Sequence, residues 1–241
     1  MQPSLSSEKK LELISLLEEK ARRNKYNKIR SYFPDAGPLR RELYEKHMEL
    51  FRAGKTHRER LFMAANRVGK TESGGGYEIA LHLTGEYPKW WEGRRFDRPI
   101  KVLAAGDTGQ STKDIIQEKM LGGQWGSEDW GSALLPRRLI TEKPISKAGI
   151  SGAYESVKVK HISGGFSEFK MRSYDQGRRI FQGFELDIFW PDEEVPIEVY
   201  EEGLIRTMTT QGMVIMTFTP LNGLTELVMS FMASMNDQEP V

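Results

Sequence analysis

Apolar residues along this chain gather in short, nearly continuous runs rather than in a regular alternation with polar ones. Four such runs stand out, at residues 60–65, 100–105, 186–190 and 213–218. Runs of this length are typical of strands whose two faces are both buried. Because segments with helical spacing separate several of them, the pattern predicts an α/β fold in which helices flank a mostly parallel central sheet.

The charged segments between and before these runs predict the helices. Residues 4–30 carry a short stripe of leucine and isoleucine in a charged background, and a proline- and glycine-containing connector follows at 31–40. A second helix is predicted over 39–54, with Gly54 as its stop. Further helices are predicted from the Gly-Lys-Thr at 69–71 to about 83 and over 112–120, with short strands and turns at 137–172.

Composition narrows the classes of function. The chain has 241 residues and no cysteine, which suits one large domain with or without a small appendage. Disulfide scaffolds, cysteine nucleophiles and cysteine-ligated metals are excluded. No apolar run approaches about 18 residues, so we expect a soluble, cytoplasmic protein without membrane contact. The formal net charge of +1 excludes a uniformly basic nucleic-acid binder, although not a locally basic one.

A phosphate-binding loop is predicted directly after the first apolar run. Residues 64–71 read AANRVGKT, which fits the pattern G-x-x-x-x-G-K-[ST] except that Ala64 replaces the first glycine. Main-chain N–H groups of such a loop converge on a phosphate, while Lys70 reaches the terminal phosphate oxygens and Thr71 binds Mg²⁺. The predicted nucleotide contacts are Ala65, Asn66, Arg67, Val68, Gly69, Lys70, Thr71 and Glu72.

Three consecutive glycines, 74–76, follow this loop inside the predicted helix. Each costs about 1 kcal/mol relative to alanine in a helix interior. Such a cost indicates a backbone packed tightly against a neighbour, and this favours the nucleotide site over a chance strand–turn–helix containing Gly-Lys-Thr.

A second candidate site follows the third apolar run, where residues 186–194 read LDIFWPDEE. A nucleotide hydrolase needs a carboxylate at a strand end to hold Mg²⁺, and Asp192 is in that position. Glu193 is the candidate base that poises the attacking water, with Glu194 as its competitor. Pro191 is expected to mark the strand end, because proline removes a ladder N–H. The alternative is a solvated acidic turn.

Several segments together resemble the ATPase part of the large terminase subunit of tailed bacteriophages. The resemblance runs from about residue 44 to residue 232. It is carried by RLFMAANRVGKTE, IKVLAAGDT, GRRIFQGFELDIFWPDEE and MTFTPLNGLTEL, which occur here in that order.

The resemblance implies a P-loop NTPase of the additional-strand class with part of a small lid subdomain. It also implies an ATPase that uses ATP and Mg²⁺ to drive double-stranded DNA into a procapsid through the portal protein, in the host cytoplasm. Such motors act with a small terminase subunit and as a homo-oligomeric ring of about five subunits. The runner-up functions are another helicase-like translocase and a non-catalytic, nucleotide-dependent assembly module.

The resemblance also divides the chain. Residues 1–38 are expected to form a helical appendage and connector, 39–220 the ATPase core, and 221–241 the start of a lid. The nuclease domain usual in the family is expected to be absent, and with it nuclease activity. The predicted packing residues of the lid are Leu224, Leu227, Val228, Met229 and Phe231.

Family roles transfer to further positions. Thr219, in the segment TFTP at 217–220, matches a coupling residue that senses the terminal phosphate; the alternative is a plain strand end followed by a proline turn. Tyr44 and His47 match the adenine-reading aromatic and glutamine. His47 departs from that glutamine, and it could instead pack between helices.

Arginine placement stays open at this point. Arg67 lies inside the loop and could contact the terminal phosphate in cis or pair with an acid outside it. One branch of the family supplies an arginine finger in trans at the place of Gln182, where Arg178 and Arg179 are the nearest candidates or else form a solvated basic turn.

Two segments are candidate DNA contacts. The loop with Trp90, Trp91, Arg94 and Arg95 could grip DNA, or its tryptophans could cover core. The other is a basic stretch: Arg137, Arg138, Lys143, Lys147, Lys158, Lys160, Lys170 and Arg172.

Overall fold

The computed structural model describes residues 7–220, 223 and 225–236. Its centre is a seven-stranded sheet in the order β1-β7-β6-β2-β5-β4-β3. The strands are β1 (Glu59–Met63), β2 (Lys101–Gly106), β3 (Ile145–Ser146), β4 (Tyr154–Lys160), β5 (Phe166–Ser173), β6 (Ile188–Pro191) and β7 (Met213–Phe218).

Five neighbouring strands, from β1 to β5 in the sheet order, are parallel, while β4 and β3 add antiparallel pairs at one edge. All four predicted strands are present, as β1, β2, β6 and β7. Three of them are buried, but β1 lies at the edge of the sheet, with a neighbour on one side only among the described residues, so Leu61 and Phe62 are half-buried, Met63 is exposed, and the prediction that this strand is buried was wrong. The prediction of an α/β fold with a mostly parallel sheet is confirmed.

Helices cover both faces of this sheet. The α-helices are α1 (Ser7–Lys25), α2 (Glu45–Ala53), α3 (Tyr77–Thr84), α4 (Gly109–Ser111), α5 (Glu118–Leu121), α6 (Ile197–Met208) and α7 (Glu226–Asn236). Lys70–Gly76 forms a wider, π-helical stretch that runs directly into α3, and Thr112–Gln117 joins α4 to α5 in the same way. Short 3₁₀ turns lie at Lys28–Ser31, Arg41–Leu43, Arg137–Leu139, Tyr174–Gln176 and Arg178–Phe181.

Side chains that alternate along the strands divide between two cores. Val102 and Ala104 of β2 pack in the larger core with α3, whereas Leu103 and Ala105 pack in the other with α6. Because both faces are covered by helices, the strands read as continuous apolar runs.

The helices differ from the predictions in two boundaries and in one additional helix. The first helix ends at Lys25 rather than at 30, because Lys25 and Tyr26 bond to Glu128 and draw the chain onto the core. The second begins at Glu45, after a 3₁₀ turn. Helix α6 was not predicted, although its buried positions Val199, Gly203 and Thr207 have helical spacing.

The chain after α1 packs into the main core. Ile29 and Phe33 are 3% and 2% exposed, and the Phe33 ring lies edge-on to Phe51 and Tyr77. At the other end, α7 buries Leu227 and Val228 as predicted, whereas Met229 is 52% exposed, so its predicted packing role was wrong. Leu224 lies outside the described residues. No helix in the described part of the chain is long and apolar enough to cross a membrane.

Candidate functional site

The predicted phosphate loop connects β1 to the π-helical stretch at the carboxyl edge of the parallel strands. Gly69 has a φ of +87° and Arg67 a φ of +65°, so the loop turns through two left-handed positions before the helix begins at Lys70. A Cβ on Gly69 would lie 2.2 Å from the Ser73 hydroxyl oxygen. This close approach requires glycine, as the predicted motif demands.

Lys70 is held in place by the loop and by the neighbouring strand end. Its ammonium group donates to the main-chain oxygen of Ala65 at 3.0 Å and to the hydroxyl of Thr219 at 2.7 Å. Thr219 in turn donates to the side-chain oxygen of Asn66 at 2.7 Å. The residue after β7 therefore links both ends of the phosphate loop.

Asp192 lies at the end of β6, facing the phosphate loop. The Thr71 hydroxyl donates to its carboxylate at 2.9 Å and the Thr217 hydroxyl at 2.6 Å. The Trp190 ring N–H donates to Thr217 at 2.8 Å and orients that hydroxyl. Burial raises the pKa of Asp192 to about 7, while the bonds from Thr217 and Thr71 act in the opposite direction.

Thr71 and Asp192 could together hold Mg²⁺. A hydroxyl and a carboxylate in contact supply hard oxygen ligands and leave the remaining positions to water and phosphate, which is the usual magnesium arrangement. No cluster of three or more metal-ligating side chains occurs among the described residues, so these residues fit a shared protein–nucleotide metal site rather than an all-protein cage.

Glu193 follows Asp192 in a left-handed conformation, with a φ of +70°. Its N–H donates to Thr217 O at 2.9 Å, and the buried Tyr174 hydroxyl donates to the main-chain oxygen of Asp192 at 3.1 Å. Within the described part of the chain, the Glu193 carboxylate has no hydrogen-bonding or ion-pair partner. It is therefore available to orient a water molecule, whereas Glu194 does have a partner.

The three glycines explain how the loop helix approaches β6. A Cβ on Gly75 would lie 2.5 Å from the Trp190 ring nitrogen, and one on Gly76 would lie 2.7 Å from Thr71 O. The prediction that this backbone packs tightly against a neighbour is confirmed. The neighbour is Trp190, two residues before Asp192.

A cavity of about 590 Å³ opens beside the phosphate loop. Loop residues Arg67, Val68 and Gly69 form one wall, while Tyr44 and the segment after α1, including Tyr32, form the other. The sequence analysis did not identify Tyr32 as a site residue. Two adjacent aromatic residues in a polar, proline-containing connector are the signal that could have found it.

His47 lies behind this cavity and is not part of its lining. Its ring is 6% exposed, packs against Phe62, and meets the Ser73 hydroxyl at 3.1 Å through Nε2. Burial lowers its pKa. The structure thus favours packing for His47 and places Tyr44 at the cavity.

Glu72, predicted as a nucleotide contact, is engaged by the protein instead. Lys28 lies 2.6 Å away and Lys119 3.4 Å, and the Tyr32 hydroxyl also donates to it. Burial alone would raise the pKa of Glu72, but the bonds from Lys28 and Tyr32 outweigh burial and lower it to about 2. Glu72 fastens the segment after α1 to the helix of the phosphate loop.

The three candidate arginines have different environments. Arg67 is exposed and lines the cavity. Arg178 donates to the buried carboxylate of Glu202 at 2.8 Å, and Glu202 also binds Arg206. Arg179 is exposed, with no side-chain partner in the described part of the chain.

The two predicted DNA segments differ in how their cations are paired, since Arg94 and Arg95 of the loop have no carboxylate partner among the described residues. In the basic stretch, Arg138, Lys158, Lys170 and Arg172 each pair with a glutamate. In the other segment, Trp91 is 3% exposed and Trp90 stacks parallel to Tyr77, so the tryptophans cover core.

Known proteins resemble this chain in sequence. The family model described as terminase large subunit, T4likevirus-type, N-terminal, matches residues 61–239. The large terminase subunit of Salmonella phage P22 is 31% identical over an alignment of 255 residues. The alignment covers 99% of this chain and 49% of that protein. The chain therefore spans about half the length of this relative.

One solved structure is also similar. It is the large terminase of a thermophilic bacteriophage in complex with ADP, which aligns with 73% of this chain and 37% of that chain at 12% identity and a TM-score of 0.46. The family model covers most of the chain, including the phosphate loop, the acidic strand end and the threonine after β7. This chain therefore belongs to the T4likevirus-type family of large terminase subunits and matches their N-terminal region.

Proposed function

We propose that this chain hydrolyses ATP with Mg²⁺ and that this hydrolysis drives double-stranded DNA into a viral procapsid. The observation that carries the proposal is the contact between Thr71 and the buried carboxylate of Asp192, beside Lys70 at the end of the phosphate loop. A hydrolase needs these groups together to bind a magnesium–phosphate unit. A chance Gly-Lys-Thr turn would not bring them together.

In this proposal each residue has a separate task. Main-chain N–H groups of residues 65–69 and the side chain of Lys70 bind the phosphates, and Thr71 with Asp192 holds Mg²⁺. Mg²⁺ held by these two residues would neutralise charge that develops on the phosphate oxygens. The carboxylate of Glu193, which is unpaired within the described residues, orients the attacking water and accepts its proton.

In this mechanism, nucleotide binding breaks the hydrogen bond between Lys70 and Thr219, the residue that follows β7. The Lys70 ammonium now donates to Thr219, and it must turn towards phosphate oxygens when ATP binds. Thr219 then loses the ammonium contact, and its hydroxyl can donate to the terminal phosphate by turning its O–H away from Asn66. Loss of that phosphate would return the hydroxyl to Asn66 and Lys70, which gives the coupling role a physical basis.

We propose that Tyr44 contacts the adenine ring of ATP, since it lines the cavity beside the loop. His47 instead supports the loop through Ser73. For the arginine, Arg67 is the proposed cis group. Arg179 is the proposed trans group, because Arg178 is already bound to Glu202.

The wider assembly belongs to the same proposal. We infer a homo-oligomeric ring of about five subunits acting in the host cytoplasm with the portal protein and a small terminase subunit. Residues 1–38 would be the appendage and connector, 39–220 the core and 221–241 the start of a lid.

Phosphate release from Mg²⁺-ATP, measured against protein concentration, tests the activity. We expect turnover in the wild type, and in both Lys70→Ala and Glu193→Gln a loss of about 100-fold or more. Glu193→Gln should still bind ATP. Turnover that rises faster than linearly with protein would support Arg179 from a neighbour, whereas a linear dependence would support Arg67. ATP binding without turnover at any concentration would favour the non-catalytic assembly module.

A further inference from the structure

A second large cleft lies at the end of the sheet opposite the phosphate loop. Its volume is about 1340 Å³, and it is bounded by the end of α2, the residues that lead into β1 and β7, and the loop 91–95. Arg58 precedes β1 and Gln211 precedes β7, whereas the phosphate loop follows β1. A six-residue strand such as β7 spans roughly 20 Å, so the cleft is separate from the nucleotide site.

Cations predominate along this cleft. Its charged lining residues are the cations Arg52, Lys55, Arg58, Arg94 and Arg95 and the acids Glu49 and Glu92. Arg52 pairs with Glu92 at 2.8 Å, and Glu49 is taken up by Lys46 outside the lining. The other four cations have no carboxylate partner in the part of the chain that the structure describes. The cleft therefore carries a net positive charge.

Main-chain oxygens hold three of these cations in place without neutralising them. Arg58 donates to Gly212 O at 3.0 Å and to Thr207 O at 3.2 Å. Arg94 donates to Gln211 O at 2.8 Å, and Arg95 donates to a main-chain oxygen in its own loop at 3.0 Å. A guanidinium has five N–H donors, so each of these arginines keeps donors for a ligand. The positions are set in advance, which lowers the entropic cost of binding.

The electrostatic environment of Arg94 favours the approach of an anion. Burial lowers the pKa of Arg94, and the neighbouring charges of Arg58 and Arg98 lower it further, although Asp187 opposes them. Crowded cations of this kind are unfavourable unless an anion comes among them.

The lining also distinguishes between kinds of anion. Its apolar members are Ala53 and Trp91, and the Trp91 ring is buried. An acidic peptide would find no apolar pocket for an anchoring side chain, and a nucleic-acid base would find no exposed ring on which to stack. Guanidinium forks suit a tetrahedral oxyanion that accepts several hydrogen bonds.

We propose that this cleft binds phosphate groups through Lys55, Arg58, Arg94 and Arg95. The phosphates could belong to the backbone of duplex DNA or to a free phosphate compound, and both present the same oxyanion. The inference does not depend on ATP hydrolysis, since the residues are distinct from those of the nucleotide site. If the ligand is DNA, it rests on the proposed function and adds Lys55 and Arg58 to the predicted DNA segment of Arg94 and Arg95.

Binding experiments on the full chain with Lys70→Ala as background keep the phosphate loop from contributing. The probes are a short fluorescein-labelled duplex DNA over a series of NaCl concentrations, followed by anisotropy, and inorganic pyrophosphate, followed by calorimetry. A poly-glutamate peptide serves as the carboxylate probe. Without nucleotide present, failure of the ATPase proposal would leave these measurements unaffected.

Arg95→Gln and Lys55→Gln are the test variants, because neither removes the bonds that Arg58 and Arg94 make near the start of β7. Lys89→Gln is the matched control, an exposed lysine near the same loop but outside the cleft lining. For each test variant we expect affinity for the bound phosphate ligand to fall about tenfold. If the ligand is DNA, the slope of log affinity against log salt should also fall by about one.

The outcomes separate the two sources and the competing ligand. A loss of DNA affinity in both test variants, with Lys89→Gln unchanged, supports the proposal and identifies the DNA backbone. A loss of pyrophosphate binding alone supports it and identifies a free phosphate compound. Equal binding of both probes by all variants would overturn the proposal, as would an effect confined to poly-glutamate. Urea unfolding of each variant shows whether the fold is retained.

Discussion

At the scale of single residues, glycines shape the proposed nucleotide site, because a side chain at their positions would clash with a neighbouring residue. Gly69 turns the phosphate loop in a left-handed conformation, and Gly75 lets the helix of the loop approach Trp190. Trp190 also donates to Thr217, which contacts Asp192. Gly75 on one element and Asp192, the carboxylate proposed to hold Mg²⁺, on another are therefore linked by one indole ring.

Replacing Gly75 by alanine should disturb this link. The added Cβ would lie 2.5 Å from the Trp190 ring nitrogen, so the ring or the helix must move. We expect a loss of about 2–3 kcal/mol in the free energy of unfolding, measured by urea denaturation. Gly74→Ala is the matched control, because its Cβ would be 3.1 Å from the edge of Phe62. An equal loss in both variants would show that helix packing in general, rather than Trp190, sets the cost.

Thr219 is the other residue whose role can be isolated. Thr219→Val removes the hydroxyl that contacts both Lys70 and Asn66 but keeps the side-chain shape. We expect ATP turnover to fall about tenfold or more while ADP affinity changes little, since a sensor acts on the terminal phosphate alone. Thr219→Ser should restore turnover. Equal losses of ADP affinity and turnover would instead indicate that Thr219 only shapes the loop.

At the scale of elements, the segment after α1 is tied to the helix that begins in the phosphate loop. Glu72 receives bonds from Lys28 and Tyr32, and the Tyr32 ring lies along the cavity. The cavity beside the phosphate loop is thus built partly by a segment that precedes the core strands in sequence.

The Glu72 contacts should make stability depend on pH. Its folded-state pKa is lowered to about 2, so its contribution is complete above the unfolded value of about 4.5 and is lost as the pH falls towards 2. Glu72→Gln should lower the free energy of unfolding by about 2 kcal/mol at pH 7, allowing for its partial solvent exposure. The difference from wild type should shrink by pH 3. A gap in urea unfolding that stays constant with pH would mean that the charge is not responsible.

At the scale of the whole molecule, the two ends of the parallel strands serve different ligands in our interpretation. The carboxyl ends hold the nucleotide residues, as parallel α/β sheets generally do. The amino ends border the cleft that is lined by Lys55, Arg58, Arg94 and Arg95. A central sheet covered on both faces keeps these two sites at a fixed separation.

The amino-terminal part of the chain should divide into a dispensable and an essential portion. The side chains of α1 from Glu8 to Leu17 are exposed, whereas Ile29 and Phe33 are buried in the main core. Removal of residues 1–24 should change the free energy of unfolding by less than about 0.5 kcal/mol. Removal of residues 1–35 should lower it by several kcal/mol, about what the loss of two buried side chains costs. Similar urea midpoints for both truncations would contradict this division.

Nucleotide should stabilise the whole molecule through the same site. ADP with Mg²⁺ at about 100 times its dissociation constant should add about 2.7 kcal/mol to the free energy of unfolding. The gain should disappear in Lys70→Ala. A thermal melt with and without ADP measures both, and an equal gain in the variant would locate the nucleotide elsewhere.

Local sequence determined those parts of this protein that depend on neighbours in the chain. The four apolar runs predicted their strands, and the interior strands β2, β6 and β7 are apolar because a strand buried on both faces has few places for polar residues. The pattern from Ala64 to Thr71 predicted the loop, because its glycine is needed at a left-handed position. Asp192 could be singled out because it directly follows a buried strand.

Only the tertiary structure decided which distant residues meet. Tyr32 lies at the cavity and His47 behind it because the segment after α1 packs against α2 and α3. The adjacent aromatic residues Tyr32 and Phe33 signal that this connector packs on the core, but they do not show where. Arg178 was taken up by Glu202 of α6, a helix that the sequence analysis did not find. The lining of the cleft at the amino ends comes from three separate stretches of chain. Side-chain chemistry is local, but the choice of partner depends on how the elements pack around the sheet.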